Sequence, residues 1–185
     1  MAPKSEPWYI HAALYTVIVI LIAILIKVAI IDPKNVVESE KYYKSETRLR
    51  MKNIKEAEIL FQKKYNKFTG NLDSLVNFIK NDPMVDSVIN GYDSLSRRPT
   101  NPFVVLKNGV FAPDSLLRTP KSQQMFTLKI DNTETADTVV DRRGRILRVE
   151  KHMVSGTKYY LEDPDGYGTI GSLDNDALKN TASWE

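Results

Sequence analysis

A long apolar segment near the start of the chain constrains the fold more than any other feature. From Ile10 to Ile26 the sequence holds 17 consecutive uncharged residues, and its apolar character continues to Ile31 with one interruption, Lys27. A helix of this length rises roughly 30 Å, which matches the hydrocarbon core of a bilayer. The segment therefore predicts a transmembrane helix over residues 9–31, after a short flank over residues 1–8.

Two interpretations differ in whether this segment stays in the protein. A cleaved secretory signal needs a basic flank, a shorter apolar run and small residues at a cleavage site. The flank offers only Lys4, and no such cleavage pattern closes the run. We therefore expect a retained anchor, with Trp8 and Tyr9 in one interface and the Lys27 ammonium reaching toward the headgroups of the other.

Composition excludes several classes of function. The 185 residues include 26 basic and 23 acidic side chains, a near balance that speaks against nucleic acid as a partner. Cysteine is absent and histidine occurs only as His11 and His152, so disulfides and thiolate metal sites are excluded and histidine-based catalysis is disfavoured. The sequence also lacks the common nucleotide-binding and hydrolase motifs. We expect a protein that is not an enzyme and holds no organic cofactor.

Glycine and proline divide the remaining chain into a helical front and a turn-rich back. All eight glycines lie at or after Gly70, and no proline occurs between Pro33 and Pro83. We expect a kink or a restart of the helix at Asp32-Pro33, the membrane exit, with a new helix running from about Asn35 to Tyr65. The expected organisation is a juxtamembrane helical stalk over 32–53, an α+β domain over 54–162, and a Gly/Asp-rich loop and tail over 163–185.

An apolar stripe marks the helix that opens this domain. Its members recur at steps of three and four residues and are Ile54, Ala57, Phe61, Tyr65 and Phe68. This spacing predicts an amphipathic helix whose stripe packs on the rest of the domain. A second, short helix is expected between the cap Asn71 and the stop Asp82-Pro83.

Short β-prone runs follow the helices. Strands are expected near residues 103–107, 125–130, 138–140, 146–151 and 158–162. The turns expected between them are Asn108-Gly109, Asp131-Asn132, Arg142-Arg143-Gly144 and Ser155-Gly156. The fold class is therefore α+β, with a long amphipathic helix and a short helix packed on a small antiparallel sheet.

The run from Ile54 to Val76, IKEAEILFQKKYNKFTGNLDSLV, resembles the type IV pilins and pseudopilins when it is taken with the order of elements. It is also similar to a group of uncharacterised single-pass proteins of Bacteroidota. The resemblance covers residues 9–80 and implies a pilin-like fold at a bacterial inner membrane. No glycine precedes Gly70 and the span contains no acidic residue. The resemblance therefore implies a pilin-like shape on a permanent anchor.

Charge and resemblance disagree about orientation. Five basic residues lie in the twenty after the span and one lies before it, so the positive-inside rule keeps the domain in the cytoplasm. That rule weakens when a long domain follows, and pilin-like proteins present their sheets outside the cytoplasm. We expect the domain to be periplasmic, and the cytoplasmic orientation stays open.

An acidic loop is the only candidate metal site. Residues 162–168 read EDPDGYG, and pseudopilins hold calcium in a late acidic loop. The resemblance thus implies a calcium site with Asp163 and Asp165 as ligands, joined by Asp174 or Asp176. Calcium takes six or more oxygens and the EF-hand spacing is absent, so an acidic Pro-Asp-Gly turn is the other interpretation.

These features predict a non-catalytic, membrane-anchored structural or assembly component of a larger envelope complex, such as a secretion, motility or pilus-like machine. Its expected partners are the lipid bilayer and other protein subunits. Two alternatives stay open. One is a membrane-tethered cation- or ligand-binding module, and the other is a single-helix accessory subunit of a respiratory or transport complex.

Overall fold

A computed structural model of the chain describes residues 7–95, 97–141, 143 and 145–185. Most of the expected N-terminal flank and the turn residues Arg142 and Gly144 therefore lie outside the described residues. The chain forms two compact units, residues 1–43 and residues 44–185. Its elements are a long N-terminal apolar helix, short helices and small antiparallel sheets, which confirms the α+β class.

The first unit is helical wherever it is described, apart from Pro7. Helix α1 spans Trp8–Ile26, a π-helical segment spans Lys27–Ile31, and helix α2 begins at Asp32. All residues of α1 and of the π-helical segment are exposed, including Trp8, Tyr9 and Lys27. This helix is long and apolar enough to cross a membrane, which is compatible with an anchor.

Of the kink or restart expected at Pro33, the restart near Asn35 is wrong, because helix α2 begins at Asp32 and continues through Pro33. The backbone N–H of Asp32 donates to the carbonyl of Lys27, five residues earlier, which is the pairing of a π turn. Proline has no N–H to donate to the carbonyl four residues before it. A wider turn directly before Pro33 lets the helix absorb this missing bond without ending.

Three helices contribute to the second unit. Helix α2 ends at Tyr65, α3 spans Leu72–Asn81 and α4 spans Pro83–Ile89. The Asn71 side chain accepts from Ser74 N at 3.1 Å, which confirms its role as the cap of α3. Asp82 ends α3 and also caps α4 by accepting from Met84 N at 3.0 Å. Helix α4 lies in a stretch for which neither a helix nor a strand was expected.

The buried face of α2 begins earlier than the stripe predicted. Thr47 and Met51 are fully buried although they belong to the expected stalk. Ile54 and Ala57 are fully buried as expected, and Phe68 is buried just after the helix. Phe61 is only partly buried and Tyr65 is 46 % exposed. These two rings contact Phe78 of α3 at the edge of the core, with ring centroids 5.2 and 6.0 Å from it.

The main sheet has three antiparallel strands, which lie side by side in the order in which they occur in the chain. Strand β3 spans Thr127–Val140, β4 spans Ile146–Glu162 and β5 spans Thr169–Gly171. A separate pair joins β1, Tyr92–Asp93, to β2, Arg98–Pro99. The core lies where α2 and α3 pack on the part of the sheet that holds Tyr159, Leu161 and Ile170, all fully buried.

The turns expected at Asp131-Asn132 and Ser155-Gly156 are wrong, because both strands run on through an irregularity in register. Gly156 has φ +76°, and its carbonyl accepts from Phe68 N at 2.7 Å. A Cβ at this glycine would lie 2.6 Å from the Phe68 carbonyl oxygen. The Asp131 carboxylate accepts from the Thr157 hydroxyl and from Lys158 N. Turn-forming residues here build a bulge that admits the loop after α2.

Two other segments differ from expectation. The strand expected at 103–107 is an irregular segment, because the partner of its peptide groups is a side chain of α2 and not another strand. The expected tail belongs to the core: Ile170 and Ala182 are buried, and the Trp184 ring lies against Gly168. This stretch contains few apolar residues, but the side chains at positions 170 and 182 are almost completely buried.

Candidate functional site

The acidic loop closes on itself through backbone bonds. Asp163, which follows β4, donates its N–H to the Gly168 carbonyl at 3.2 Å and accepts from Gly166 N at 3.1 Å. One oxygen of its carboxylate accepts from Tyr167 N at 2.8 Å, and the other is buried without a hydrogen-bond partner. Burial raises the pKa of Asp163 above its ordinary value, although the bond from Tyr167 N opposes this. This carboxylate organises the turn in which it lies.

The other expected calcium ligands are held by different groups. Asp165 accepts weakly from Ser122 N at 3.3 Å, and Asp176 forms an ion pair with Lys158 at 3.2 Å. Among the described residues, no group of three or more carboxylates or histidines is placed to hold a metal ion. Asp163 and Asp165 supply few of the six oxygens that calcium needs. Calcium binding at this loop stays a prediction.

Three polar side chains on the buried face of α2 were not singled out in the sequence. They are Glu46, Asn53 and Glu58, each less than 4 % exposed. Each one binds a backbone group of a segment without regular structure. The spacing in the sequence could have indicated that Glu58 is buried, because it stands four residues after Ile54 and so lies on the same face of the helix. Sequence reasoning missed them because charged and amide side chains usually mark a solvated face.

Asn53 binds both backbone polar groups of one residue, Val104. Its amide nitrogen donates to the Val104 carbonyl and its oxygen accepts from Val104 N, each at 2.8 Å. Glu46 acts in the same way nearby, accepting from Lys107 N at 3.1 Å and from the Arg50 guanidinium at 3.3 Å. Arg50 in turn donates to the carbonyls of Ser115 and Arg118. This network fastens residues 104–118 to the helix.

Glu58 lies in the most apolar position of the three. One carboxyl oxygen accepts from Thr69 N at 3.0 Å, and the other has no hydrogen-bond partner, like the Tyr159 hydroxyl, which is also buried. Burial raises the pKa of Glu58 to about 8, against a smaller opposite effect of the Thr69 bond. Burial likewise raises the pKa of Tyr159. Glu58 is therefore largely protonated at neutral pH, a neutral acid in the core.

A shallow groove of about 460 Å³ lies between the end of α2 and α3. Phe61, Tyr65 and Phe78 line it together with polar residues of α3. The Lys64 ammonium lies over the Tyr65 and Phe78 rings, 5.2 and 5.9 Å from their centroids, and pairs with Asp82. An aromatic and acidic surface of this kind favours a cation, and here the Lys64 ammonium already occupies that place.

The histidine expected to lack catalytic partners, His152, has its side chain outside the described residues. The anchor residues Trp8, Tyr9 and Lys27 lie in the first unit and belong to none of these groups. The loop aspartates, the buried polar residues of α2 and the aromatic groove form three separate groups in the second unit. The aromatic groove is lined by none of the loop aspartates and by none of the buried polar residues of α2.

No protein-family model, curated protein or solved structure matches the chain. The comparisons thus leave the α+β class as the level at which the fold is established. The resemblance of residues 9–80 to pilins and pseudopilins stays a prediction.

Replacing Asn53 with aspartate should destabilise the second unit by about 2–4 kcal/mol. The aspartate oxygen can still accept from Val104 N, but its other oxygen would face the Val104 carbonyl, so two acceptors would be buried together. Urea unfolding of the detergent-solubilised chain measures the change. Asn77→Asp, on the exposed face of α3, is the matched control and should stay within about 0.5 kcal/mol of wild type. Equal midpoints for the two variants would contradict the role given to Asn53.

Glu58→Gln should remove a pH dependence of stability. The folded state holds the Glu58 proton up to about pH 8, whereas an unfolded chain releases it near pH 4.3. The folded state therefore binds more protons between these values, and wild type loses stability as pH rises through this window. Glutamine stays neutral, so the variant should exceed wild type by about 1–3 kcal/mol at pH 8 and approach it at pH 5.

Thermal melts at both pH values compare the Glu58 variant with its control. Glu56→Gln, two residues earlier on α2 and only partly buried, should keep the wild-type pH profile. A Glu58→Gln profile parallel to wild type would show that Glu58 is ionised in the folded protein.

Proposed function

We propose that the protein is a non-catalytic, membrane-anchored structural component of a larger envelope complex. The observation that carries this proposal is the first unit, in which every residue from Trp8 to Ile31 is exposed and all but His11, Thr16 and Lys27 are apolar or aromatic. Burying apolar surface is worth roughly 25 cal/mol per Å². A helix that is apolar on all sides is not stable when exposed to water, and it is found covered by lipid or by other protein.

The arrangement of the second unit supports a structural role over a catalytic one. Its buried polar side chains Glu46, Asn53 and Glu58 bind backbone groups of the same unit. Catalytic groups instead converge on a pocket that admits a substrate. These polar groups stabilise the fold of the unit, and a scaffold or contact domain requires such a stable fold.

The proposed location is a bacterial inner membrane, with the second unit in the periplasm. Support comes from the resemblance of residues 9–80 to pilin-like proteins and from the length of the domain that follows the span. The proposed partners are the bilayer and other subunits of a secretion, motility or pilus-like machine. A structural subunit of this kind needs a stable contact domain held at the membrane, which the two units together would provide.

Two arginines in the apolar segment should detach the protein from membranes. Ile18→Arg with Leu21→Arg places two charges near the middle of the span, each costing about 2.5–3.5 kcal/mol on insertion scales. Wild type should remain in the membrane pellet after alkaline carbonate extraction, and the variant should not. Val36→Arg with Val37→Arg, at exposed positions beyond the segment, is the matched control and should behave as wild type. Release of wild type itself by carbonate would contradict anchoring.

The orientation can be tested with an epitope at the C-terminus. In intact spheroplasts an external protease should remove the epitope, because the second unit is proposed to be periplasmic. A cytoplasmic marker protein must survive the same treatment as the control. If the epitope survives until the inner membrane is lysed, the domain is cytoplasmic and the basic residues after the span decide the topology.

A further inference from the structure

The shallow groove between the end of α2 and α3 has no part in the proposed structural role. Its volume of about 460 Å³ falls within the range of roughly 300–1,000 Å³ that is typical of ligand sites. Its lining consists of three aromatic rings, three neutral polar side chains and one carboxylate. Each of these three sets limits the chemistry of a ligand that the groove can bind.

The aromatic set consists of Phe61 and Tyr65 of α2 and Phe78 of α3. The centroid of the Phe61 ring lies 4.6 Å from that of Tyr65 and 5.2 Å from that of Phe78. Because the three rings already pack on one another, a ligand does not have to order them when it binds. Tyr65 is 46 % exposed, so its side chain offers apolar ring surface in the groove. This surface suits a ligand that has an apolar face.

The neutral polar set lies along one face of α3. Ser74, Asn77 and Asn81 follow one another at steps of three and four residues, which is the spacing of neighbours on a helix surface. All three residues are exposed. Within the described part of the chain, neither of the two amide groups has a hydrogen-bond partner. Since each amide offers donors and an acceptor, this row suits a ligand that carries several hydroxyl groups.

The one carboxylate of the lining, Asp82, is already satisfied by the chain. One of its oxygens accepts from Met84 N at 3.0 Å, and the other accepts from the Lys64 ammonium. This ion pair neutralises the only charged side chain that lines the groove among the described residues, so the matching ligand is itself neutral. A purely apolar ligand does not match, because it would cover the α3 amides without pairing them.

We propose that this groove binds a neutral saccharide chain. A sugar ring has C–H faces that pack on aromatic surface, and it carries hydroxyl groups around its rim that donate and accept hydrogen bonds. The C–H faces match the exposed Tyr65 ring, and the hydroxyl groups match Ser74, Asn77 and Asn81. Because the groove is shallow, a ligand lies along it, and a chain can extend beyond both of its ends.

Saccharide binding would give the second unit an attachment of its own. A protein anchored in a membrane at one end and bound to a polysaccharide at the other would connect two layers of a cell envelope. This activity goes beyond the proposed assembly role, which names only the bilayer and other protein subunits as partners. It is measured by direct binding, so the test does not depend on the orientation of the chain in the membrane.

Binding is measured on the full-length chain in lipid nanodiscs. Nanodiscs avoid detergents with sugar headgroups, which would compete for the groove. The probe is the hexamer of N-acetylglucosamine, which is neutral and soluble. Saturation-transfer-difference NMR detects weak binding, and saturation of the protein should pass to the ring C–H protons of the probe. Empty nanodiscs of the same lipid composition are the control and should give no transfer.

Substitutions in the lining locate the binding site. Asn77→Ala with Asn81→Ala should lower the affinity for the hexamer by about tenfold, because two hydrogen-bonding side chains are lost from an exposed face. Tyr65→Leu should lower it by a similar factor, whereas Tyr65→Phe keeps the ring and should bind nearly as wild type. Asn35→Ala with Gln124→Ala removes two exposed amides outside the groove and should leave the affinity unchanged. Thermal melts verify that each variant is folded.

Three results would overturn the inference. One is the absence of saturation transfer with the wild-type chain, and another is transfer that the folded Asn77 and Asn81 double variant leaves unchanged. The third is tighter binding of the deacetylated hexamer in mildly acidic buffer, where its ammonium groups are charged, because the groove would then select a cation. If no sugar binds and the double variant instead changes the size of the protein complex in mild detergent, the groove is a protein contact. The saccharide site would then be wrong and the proposed assembly role would stand.

Discussion

The second unit depends on the contact between the Asn53 side chain and the backbone N–H and C=O of Val104. Residues 101–126 contain one short 3₁₀ turn, Pro113–Leu116, and no extended strand, so their polar groups are not paired by a sheet. A buried backbone N–H and C=O without partners cost several kcal/mol, and one amide side chain offers an acceptor to the first and a donor to the second. Phe103, directly before Val104, and Leu106, two residues after it, are buried. The amide thus fixes the segment in the place where its apolar side chains can pack.

Two other polar side chains of α2 also bind backbone groups of irregular segments. Glu46 joins residue 107 and, through Arg50, the carbonyls of 115 and 118, while Glu58 joins the loop at Thr69. The buried face of α2 thus carries two kinds of side chain. Its apolar side chains pack in the core, and its polar side chains form hydrogen bonds with backbone groups of irregular segments. The arrangement explains how a sheet with only one short extra strand can support a domain of this length. Much of the order comes from side chains that bind backbone.

Sequence reasoning was accurate where local chemistry decides structure. The apolar segment, the Asn71 cap and the stop at Asp82-Pro83 each depend on a few neighbouring residues, and the structure has all three. The stripe was correct at Ile54 and Ala57 because helical periodicity is regular. It predicted too much burial for Phe61 and Tyr65, since periodicity does not tell where the sheet ends beside the helix.

The turns predicted at 131–132 and 155–156 are wrong because Asp, Asn and Gly favour bulges as well as chain reversals. Nothing local indicates that Asn53 meets a peptide 51 residues away.

The irregularity in register between β3 and β4 contains a carboxylate, Asp131, whose hydrogen bonds resist acid. Burial alone would raise the pKa of Asp131, but the Thr157 hydroxyl and the Lys158 and Thr157 amides hold it below its ordinary value. A carboxylate with a depressed pKa contributes stability that is present above its unfolded pKa and lost only as pH falls through the folded one. Mild acidification therefore leaves the Asp131 carboxylate ionised, with its hydrogen bonds from Thr157 and Lys158 in place. The hydrogen bonds that Asp131 accepts in this bulge are lost only below the pH range in which ordinary surface aspartates take up a proton.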